Sequence, residues 1–371
     1  MADASVETES QSQWFIDGLE PEEILDRFTY RRFSYGKVRM ISGIDKVPKP
    51  SAIRLSGGRT SSLGPVLGRL PNELLHMVMH WLDYKSLFAV ARASLLGKAL
   101  VESLPVYQEL LTYAPEVIAA LSRLNILGAH PAALIREALR TEKCAACRSY
   151  GPYLFLPTCH RCCLECLSSY SPLRVITAET AKKYFVLGAK DLQKIPVIHT
   201  IPGQMDASGK KRPSSVKLFS LAAVKELALS LHGSTGGIAR AAYRAYGEKK
   251  PAFLRGTFYW KTPVGRDIST RFSHRACYWR KATERYRWYC LVAMPFPSMK
   301  VPGVVERGLF CKCCYSLMLG ISPRERLRLP YTGNTIFTVR NKADTLEHIK
   351  ECRSREMLAQ NGAGMVEPRS P

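Results

Sequence analysis

The sequence lacks a run of about 18 uncharged apolar residues, the length that a membrane-spanning helix requires. Its first residues, MADASVETESQSQ, contain neither a basic segment nor an apolar core, so they do not resemble a secretory leader. We therefore expect a soluble, intracellular protein without a membrane partner, located in the cytoplasm, the nucleus or both.

The motifs of several common enzyme classes are missing as well. The chain contains no Gly-x-Ser-x-Gly, no His-Glu-x-x-His and no Gly-x4-Gly-Lys-Ser/Thr. An activated cysteine nucleophile needs a histidine or cationic neighbourhood, and the sequence does not indicate one. We expect a protein without catalytic residues and without enzymatic activity.

Acidic residues are few outside the first part of the chain. The 371 residues include 31 Asp and Glu against 54 Lys and Arg, which gives a net charge of +23. Residues 1–26 contain eight of the acids and no Lys or Arg, so residues 27–371 carry +31. Since 46% of the residues are hydrophobic, a wholly disordered chain is excluded, and the length allows two or three domains.

The pattern of apolar residues predicts an α+β fold that is mainly α-helical. Leu74, Leu75, Val78 and Leu82 recur at helical spacing, and Ser86 is positioned to cap a second helix. The predicted regions are a mostly disordered tail over 1–65 with one short amphipathic piece near 14–28, a helical domain over 66–142, a cysteine-rich segment over 143–170, a helical region over 171–235, a basic and aromatic α+β region over 236–359, and a disordered tail over 360–371.

Six of the twelve cysteines lie between Cys144 and Cys166. Two Cys-x2-Cys pairs can bring four thiolates to one tetrahedral zinc ion. Cys144, Cys147, Cys163 and Cys166 form the preferred set, with x15 between the pairs. The alternative replaces the second pair by Cys159 and Cys162. Four protein ligands leave no open position, so the predicted role of the zinc is structural.

A second group of potential ligands is spread over a longer stretch. Cys311 and Cys314 have the x2 spacing, and His348 and Cys352 lie four residues apart, where a helix places them on one face. Asp344 is expected to cap this helix, which is predicted to run to about residue 359. The pattern predicts a second structural zinc site, for one or two ions in total. Cys277 and Cys290 are expected to be core residues.

The stretch from Arg240 to Arg287 is basic and rich in aromatic residues. It contains thirteen Lys and Arg against three acids, with ten aromatic residues interleaved. We expect the aromatics to pack in a core and the charges to face solvent, with some arginines contacting an anionic partner. Those arginines are Arg240, Arg244, Arg255, Arg271, Arg275 and Arg280. The alternative is a nucleic-acid surface that holds phosphates and stacks bases.

The segment Leu70-Pro-Asn-Glu-Leu-Leu-x2-Val78-x3-Leu82-Asp-x3-Leu87 resembles an F-box. The residues that follow strengthen the likeness to filamentous-fungal F-box proteins with a cysteine-rich segment. They are Ser103-Leu-Pro-Val-Tyr107, Leu154-Phe-Leu-Pro-Thr-Cys159-His-Arg-Cys-Cys163, Ile195-Pro196, Ile201-Pro-Gly203 and Leu231-His-Gly233. The resemblance covers roughly residues 66–352.

The resemblance implies a substrate-recognition subunit of a cullin-RING ubiquitin ligase. Its F-box would bind the Skp-family adaptor, which links it to the cullin scaffold, and its C-terminal region would bind an unknown protein substrate. The residues implied in adaptor binding are Leu70, Pro71, Leu74, Leu75, Val78, Leu82 and Leu87. Two alternatives stay open: a zinc-containing nucleic-acid-binding protein that uses residues 240–287, and an interaction protein without ligase coupling.

Overall fold

The computed structural model describes residues 19–30, 41, 69–169, 171–204, 211–246, 288–314 and 338–352. These residues form helices and short strands, so the predicted α+β class is confirmed. The chain divides into two compact units. We call Tyr35–Val305 the larger unit, and Met1–Ser34 together with Glu306–Pro371 the smaller unit.

The helices are numbered in chain order. They are α1 Pro21–Phe28, α2 Asn72–His80, α3 Tyr84–Ala93, α4 Leu95–Ser103, α5 Pro105–Tyr113, α6 Pro115–Arg123, α7 Ala132–Arg140, α8 Leu164–Ser169, α9 Ala178–Phe185, α10 Ala189–Leu192, α11 Leu221–His232, α12 Thr235–Tyr246 and α13 Lys342–Glu351. Two short 3-10 helices are Ser171–Leu173 and Tyr289–Leu291.

The strands are short. They are β1 Thr29–Tyr30, β2 Tyr153–Phe155, β3 His160–Cys162, β4 Val175–Thr177, β5 Ile198–His199, β6 Lys217–Ser220, β7 Ala293–Pro295, β8 Ser298–Val301, β9 Val304–Glu306 and β10 Phe310–Cys311. The sheets have the orders β3-β2-β7, β4-β6-β5, β8-β9 and β1-β10, and every pair with a described register is antiparallel.

Helices α2 to α7 follow one another through short connections. Helix α3 packs on α4, and α5 contacts α4, α6 and α7. Asp83 caps α3 by accepting a hydrogen bond from the Ser86 backbone at 2.9 Å, so the predicted Ser86 cap is wrong. Ser94 caps α4 in the same way. Caps satisfy the free N–H groups of the first turn of a helix. Asp83 and Ser94 therefore fix where α3 and α4 begin.

The rest of the larger unit contains two small sheets. In the first, β2 lies between β3 and β7, which joins the cysteine-rich segment to residues 293–295. In the second, β6 lies between β4 and β5 and packs with α9, α11 and α12 around Phe185, Phe219 and Val224. The first sheet carries the cysteine-rich segment, so it positions the candidate site described below.

The smaller unit joins sequence segments that are far apart. Helix α1 and strand β1 belong to residues 19–30, and β10 and α13 belong to residues 306–352. Helix α1 falls within the short amphipathic piece that the sequence predicts near residues 14–28 of the segment 1–65. Its apolar side is buried, because Ile24, Leu25 and Phe28 are at most 5% exposed.

The last helix begins earlier than its sequence pattern suggests. Asn341, and not Asp344, caps α13, and its side chain accepts from the Asp344 backbone N–H at 2.7 Å. The helix was predicted to continue to about residue 359, but the residues after Cys352 lie outside the described part of the chain. None of the helices within the described part of the chain is long and apolar enough to cross a membrane.

Candidate functional site

The first cysteine cluster, Cys144, Cys147, Cys163 and Cys166, is brought together in the larger unit. All four Sγ atoms lie within 4.8 Å of one another. The Sγ atoms of Cys147 and Cys163 are 3.6 Å apart. In a tetrahedral zinc site with Zn–S bonds of about 2.3 Å, sulfur atoms are separated by about 3.8 Å. The measured distance is close to that separation and far from the roughly 2.05 Å of a disulfide.

A tight turn and a strand end hold this cluster. The Arg148 N–H donates to the Cys144 carbonyl at 3.0 Å, and the Cys144 N–H donates to the Ser149 carbonyl at 2.7 Å. Arg148 has a φ of 65°, a conformation that is rare for residues other than glycine. The second pair follows β3, where the Cys166 N–H lies 3.4 Å from the Cys163 Sγ. The turn after Cys144 and the end of β3 thus bring the four Sγ atoms together.

Cys159 and Cys162 lie outside the cluster, so the structure favours the first of the two predicted ligand sets. Their thiols donate instead to backbone carbonyls, of Leu156 at 3.6 Å and of Tyr153 at 3.7 Å. Burial raises the pKa of both thiols, which keeps them protonated. A protonated, buried thiol is a poor metal ligand and a poor nucleophile.

The chemistry of the first cluster fits a soft metal ion. Hydrogen bonds from Cys144, Cys163 and Cys166 hold the pKa of the Cys147 thiol well below its usual range. Four sulfur atoms in a partly buried position form the donor set that zinc prefers in structural sites. The cluster can therefore hold a metal ion, and the described cysteines form no disulfide.

Arg161 connects the first cluster to the segments around it. Its backbone carbonyl accepts from the Ala145 N–H at 2.9 Å, within the Cys144 turn. Its guanidinium is buried and donates to the carbonyls of Ala138, Gly151, Phe296 and Pro297. Burial lowers the pKa of this group to about 10, so it stays charged at neutral pH. Arg161 therefore links α7, β3 and the end of β7 around the cluster.

The second cluster, Cys311, Cys314, His348 and Cys352, lies in the smaller unit. The four ligand atoms are again within 4.8 Å of one another. The Cys314 Sγ is 3.3 Å from the His348 Nε2 and 3.6 Å from the Cys352 Sγ. The Cys311 and Cys352 Sγ atoms are 3.9 Å apart. These distances lie within about 0.3 Å of the edges of a tetrahedral site with three sulfurs and one nitrogen, which are about 3.6–3.8 Å long.

The electrostatics of the second cluster also fit a cation. Hydrogen bonds to Cys311 and Cys352 raise the pKa of His348 to about 9. The neighbouring thiols of Cys313, Cys314 and Cys352 lower the pKa of Cys311. A divalent ion would take the place of the shared protons, because bound thiolates and imidazole are deprotonated. This cluster can hold a metal ion as well.

The two groups of potential ligands do not include the other cysteines of the described residues. Cys290 is fully buried within the 3-10 helix Tyr289–Leu291, as expected for a core residue. Cys313 is buried next to the second cluster. Cys277 lies outside the described residues.

The residues implied in adaptor binding fall into two groups. Leu74 is 45% exposed and Val78 is 50% exposed, and Leu70, Pro71 and Leu82 are at least partly exposed. Leu75 and Leu87, in contrast, are 2% and 0% exposed. These two leucines pack inside the helical segment, so they are not available to a partner in this conformation.

Four further apolar residues of this region are exposed, although the sequence pattern did not single them out as partner contacts. Met77, Trp81, Leu95 and Leu96 are 65%, 70%, 48% and 36% exposed. The sequence did contain a clue, because helix α2 has more apolar residues than one core-facing stripe can bury. We call the exposed residues Leu74, Met77, Val78, Trp81, Leu95 and Leu96 the apolar face.

The predicted anion contacts are mostly outside the described residues. Arg240 and Arg244 are exposed on α12. Arg255, Arg271, Arg275 and Arg280 lie in the stretch that the structure does not describe, as does most of the basic and aromatic region.

Comparisons with family models, curated proteins and solved structures find no match for this chain.

Proposed function

We propose that this protein is a non-catalytic, F-box-type subunit of a cullin-RING ubiquitin ligase. The apolar face binds a Skp-family adaptor, the adaptor connects the chain to the cullin, and the remaining parts of the chain recruit a protein substrate. The sequence resemblance of residues 70–87 to an F-box motivates the proposal. The concentration of exposed apolar residues in the same region is the observation that carries it.

The apolar face is unusual for the surface of a protein that acts alone. Six of the ten large hydrophobic residues that are exposed in the described part of the chain fall between Leu74 and Leu96. Burying such side chains contributes about 1.5–3 kcal/mol each when they become fully buried. Exposed apolar residues that concentrate in one region are typical of surfaces for protein partners. Helices α2 and α4 contact one another, and each contributes exposed residues to the apolar face.

We further propose that each cysteine cluster holds one structural zinc ion. Cys144, Cys147, Cys163 and Cys166 would hold the first, and Cys311, Cys314, His348 and Cys352 the second. Zinc would cross-link distant segments of the chain, and it would not take part in redox chemistry. The donor types and the distances between sulfur and nitrogen atoms support zinc over harder cations, which prefer oxygen ligands.

The adaptor proposal is tested by calorimetric titration of the full-length chain with a purified Skp-family adaptor. Val78→Glu together with Met77→Glu should weaken binding by at least about 2 kcal/mol, because two charges would then face the apolar partner surface. The matched control is Val301→Glu, since Val301 is also an exposed valine of the larger unit, at 59%.

The control variant should bind as the wild type does. Absence of binding by the wild-type chain, or equal affinity of the double variant and the control, would contradict the adaptor proposal. Circular dichroism of both variants should match the wild type, because none of the changed side chains is part of the core.

A further inference from the structure

Helix α1 packs directly on the second cluster. Ile24 and Phe28 share one buried group with Cys311, Cys313, Cys314, Ile349 and Cys352, and Leu19 and Leu346 pack at its edge. Ile24 and Phe28 are 5% and 2% exposed. The surface that receives this helix therefore consists largely of the candidate ligands themselves and of residues between them.

Two lysines contact the helix near its ends. The Lys312 Nζ donates to the carbonyls of Asp26 at 3.1 Å and of Arg27 at 2.9 Å, at the C-terminal end of α1. A cation at this position complements the negative end of the helix dipole. The Lys342 Nζ lies 2.9 Å from the Glu22 carboxylate in the first turn. This second pair is solvent-exposed, so it orients the helix more than it stabilises it.

The chain after α1 is tied to a ligand by backbone pairing. Strand β1 pairs with β10 in an antiparallel register that places Thr29 opposite Cys311 and Tyr30 opposite Phe310. Lys312, which contacts the helix end, is the residue next to Cys311. The segment 19–30 therefore contacts the cluster through side chains and positions one of its ligands through the backbone.

The receiving surface cannot be formed by one local segment. Cys311 and Cys314 belong to the region around β10, whereas His348 and Cys352 belong to α13 and the residue after it. A small apolar group of this kind offsets little of the conformational entropy that ordering costs. In small cysteine-rich units, the free energy of metal binding takes over this role.

We propose that the second cluster is a metal-dependent docking site for an acidic amphipathic helix, and that residues 19–30 of the same chain are its occupant. Metal binding by Cys311, Cys314, His348 and Cys352 assembles the surface that holds Ile24 and Phe28. When the metal is absent, residues 19–30 are released. The metal content of this site then determines whether the N-terminal segment is docked or free.

The coupling works in both directions. If metal binding favours docking of residues 19–30, then docking must favour metal binding by the same factor. Removing the two anchor side chains of α1 should therefore weaken the second metal site without affecting the first. This reciprocal effect distinguishes a coupled site from a helix that only lies beside a metal.

The experiment uses the full-length chain with zinc as the metal and hydrogen exchange with mass spectrometry as the readout. Cys352→Ser should lose one zinc ion per chain, and exchange in residues 21–28 should become faster by about tenfold or more. The matched control is Cys166→Ser, which should also lose one zinc ion but leave exchange in residues 21–28 unchanged. Protection of α5 and α6 serves as the internal measure of folding.

A second variant covers the case in which Cys352→Ser fails to fold. In Ile24→Ala/Phe28→Ala, the affinity of the second site for zinc, measured by competition with a chelator, should fall by about tenfold, and the first site should be unchanged. Exchange in residues 21–28 should be fast in this variant even at full zinc loading.

The inference rests on the proposal that the second cluster holds zinc, and the two can fail separately. If the wild-type chain contains no more zinc than Cys352→Ser, the zinc assignment of the second cluster is wrong. A wild-type chain with both ions, whose residues 21–28 stay equally protected in Cys352→Ser, would overturn the docking proposal alone. An unchanged second-site affinity in Ile24→Ala/Phe28→Ala would overturn it too.

Discussion

Arg161 is 2% exposed, and among the described residues it has the largest side chain that is fully buried. Its guanidinium is held by backbone carbonyls and lies over the Phe296 ring, with 4.9 Å between Cζ and the ring centroid. Carbonyls from three segments would lose their donor if this side chain were replaced. Through these hydrogen bonds the buried guanidinium cross-links the three segments.

We predict that Arg161→Met lowers the free energy of unfolding by about 3 kcal/mol, because it leaves several buried carbonyls without a hydrogen bond. Denaturant unfolding followed by circular dichroism measures the change. Arg148→Met is the matched control, since Arg148 is exposed in the adjacent turn. Equal stability of the two variants would show that the Arg161 network contributes little.

At the scale of elements, one ion-pair group connects α5 with α7. Glu109 accepts hydrogen bonds from Arg136 at 2.9 Å and from Arg140 at 2.5 Å. Burial raises the pKa of the Glu109 carboxyl, but the hydrogen bonds from the two arginines outweigh burial and bring its pKa down to about 2. The charged form is thus favoured in the folded chain.

The lowered pKa has a defined consequence for stability. With an ordinary value of 4.5 and a folded value of about 2, the contribution of Glu109 is fully present above pH 4.5 and is lost as the pH falls toward 2. We predict that Glu109→Gln is about 1–2 kcal/mol less stable than the wild type at pH 7. This difference should shrink between pH 4.5 and pH 2.

The measurement is denaturant unfolding of both proteins over this pH range. Metal release at low pH affects wild type and variant alike, so the difference between them isolates the carboxyl group. A difference that stays constant from pH 7 to pH 2 would contradict the assigned pKa shift.

At the scale of the whole molecule, each of the two compact units contains one candidate metal cluster. We predict two zinc ions per chain, each lost independently of the other, because the ligand sets share no residue. Cys166→Ser should retain one ion. Cys162→Ser should retain both, because Cys162 lies outside the cluster and donates to the Tyr153 carbonyl.

Native mass spectrometry of freshly purified protein counts the ions in each variant. Loss of an ion in Cys162→Ser, or a wild-type chain with fewer than two ions, would contradict this assignment. A strong chelator should unfold the cysteine-rich parts of both units, since metal binding and folding are coupled in such sites.

The sequence by itself determined the features that depend on local spacing. Helical periodicity predicted a helical domain over residues 66–142, where α2 to α7 lie, because the period of apolar residues is a property of a single segment. It did not indicate α4. The Cys-x2-Cys spacing and the Cys311, Cys314, His348 and Cys352 pattern identified the two groups of residues that the structure brings together. The α+β class followed from the same local patterns.

The tertiary structure decided everything that depends on pairing between distant segments. Pairing of β3 with β2 and the turn after Cys144 select Cys163 and Cys166 over Cys159 and Cys162, although both pairs have the same spacing. Packing of α2 leaves Val78 exposed and buries Leu75, which one helical period cannot distinguish when apolar residues occupy more than one face. The docking of α1 on the second cluster depends on contacts between residues almost 300 positions apart. Contacts of this kind leave no periodic mark in either segment, so only the folded chain reveals them.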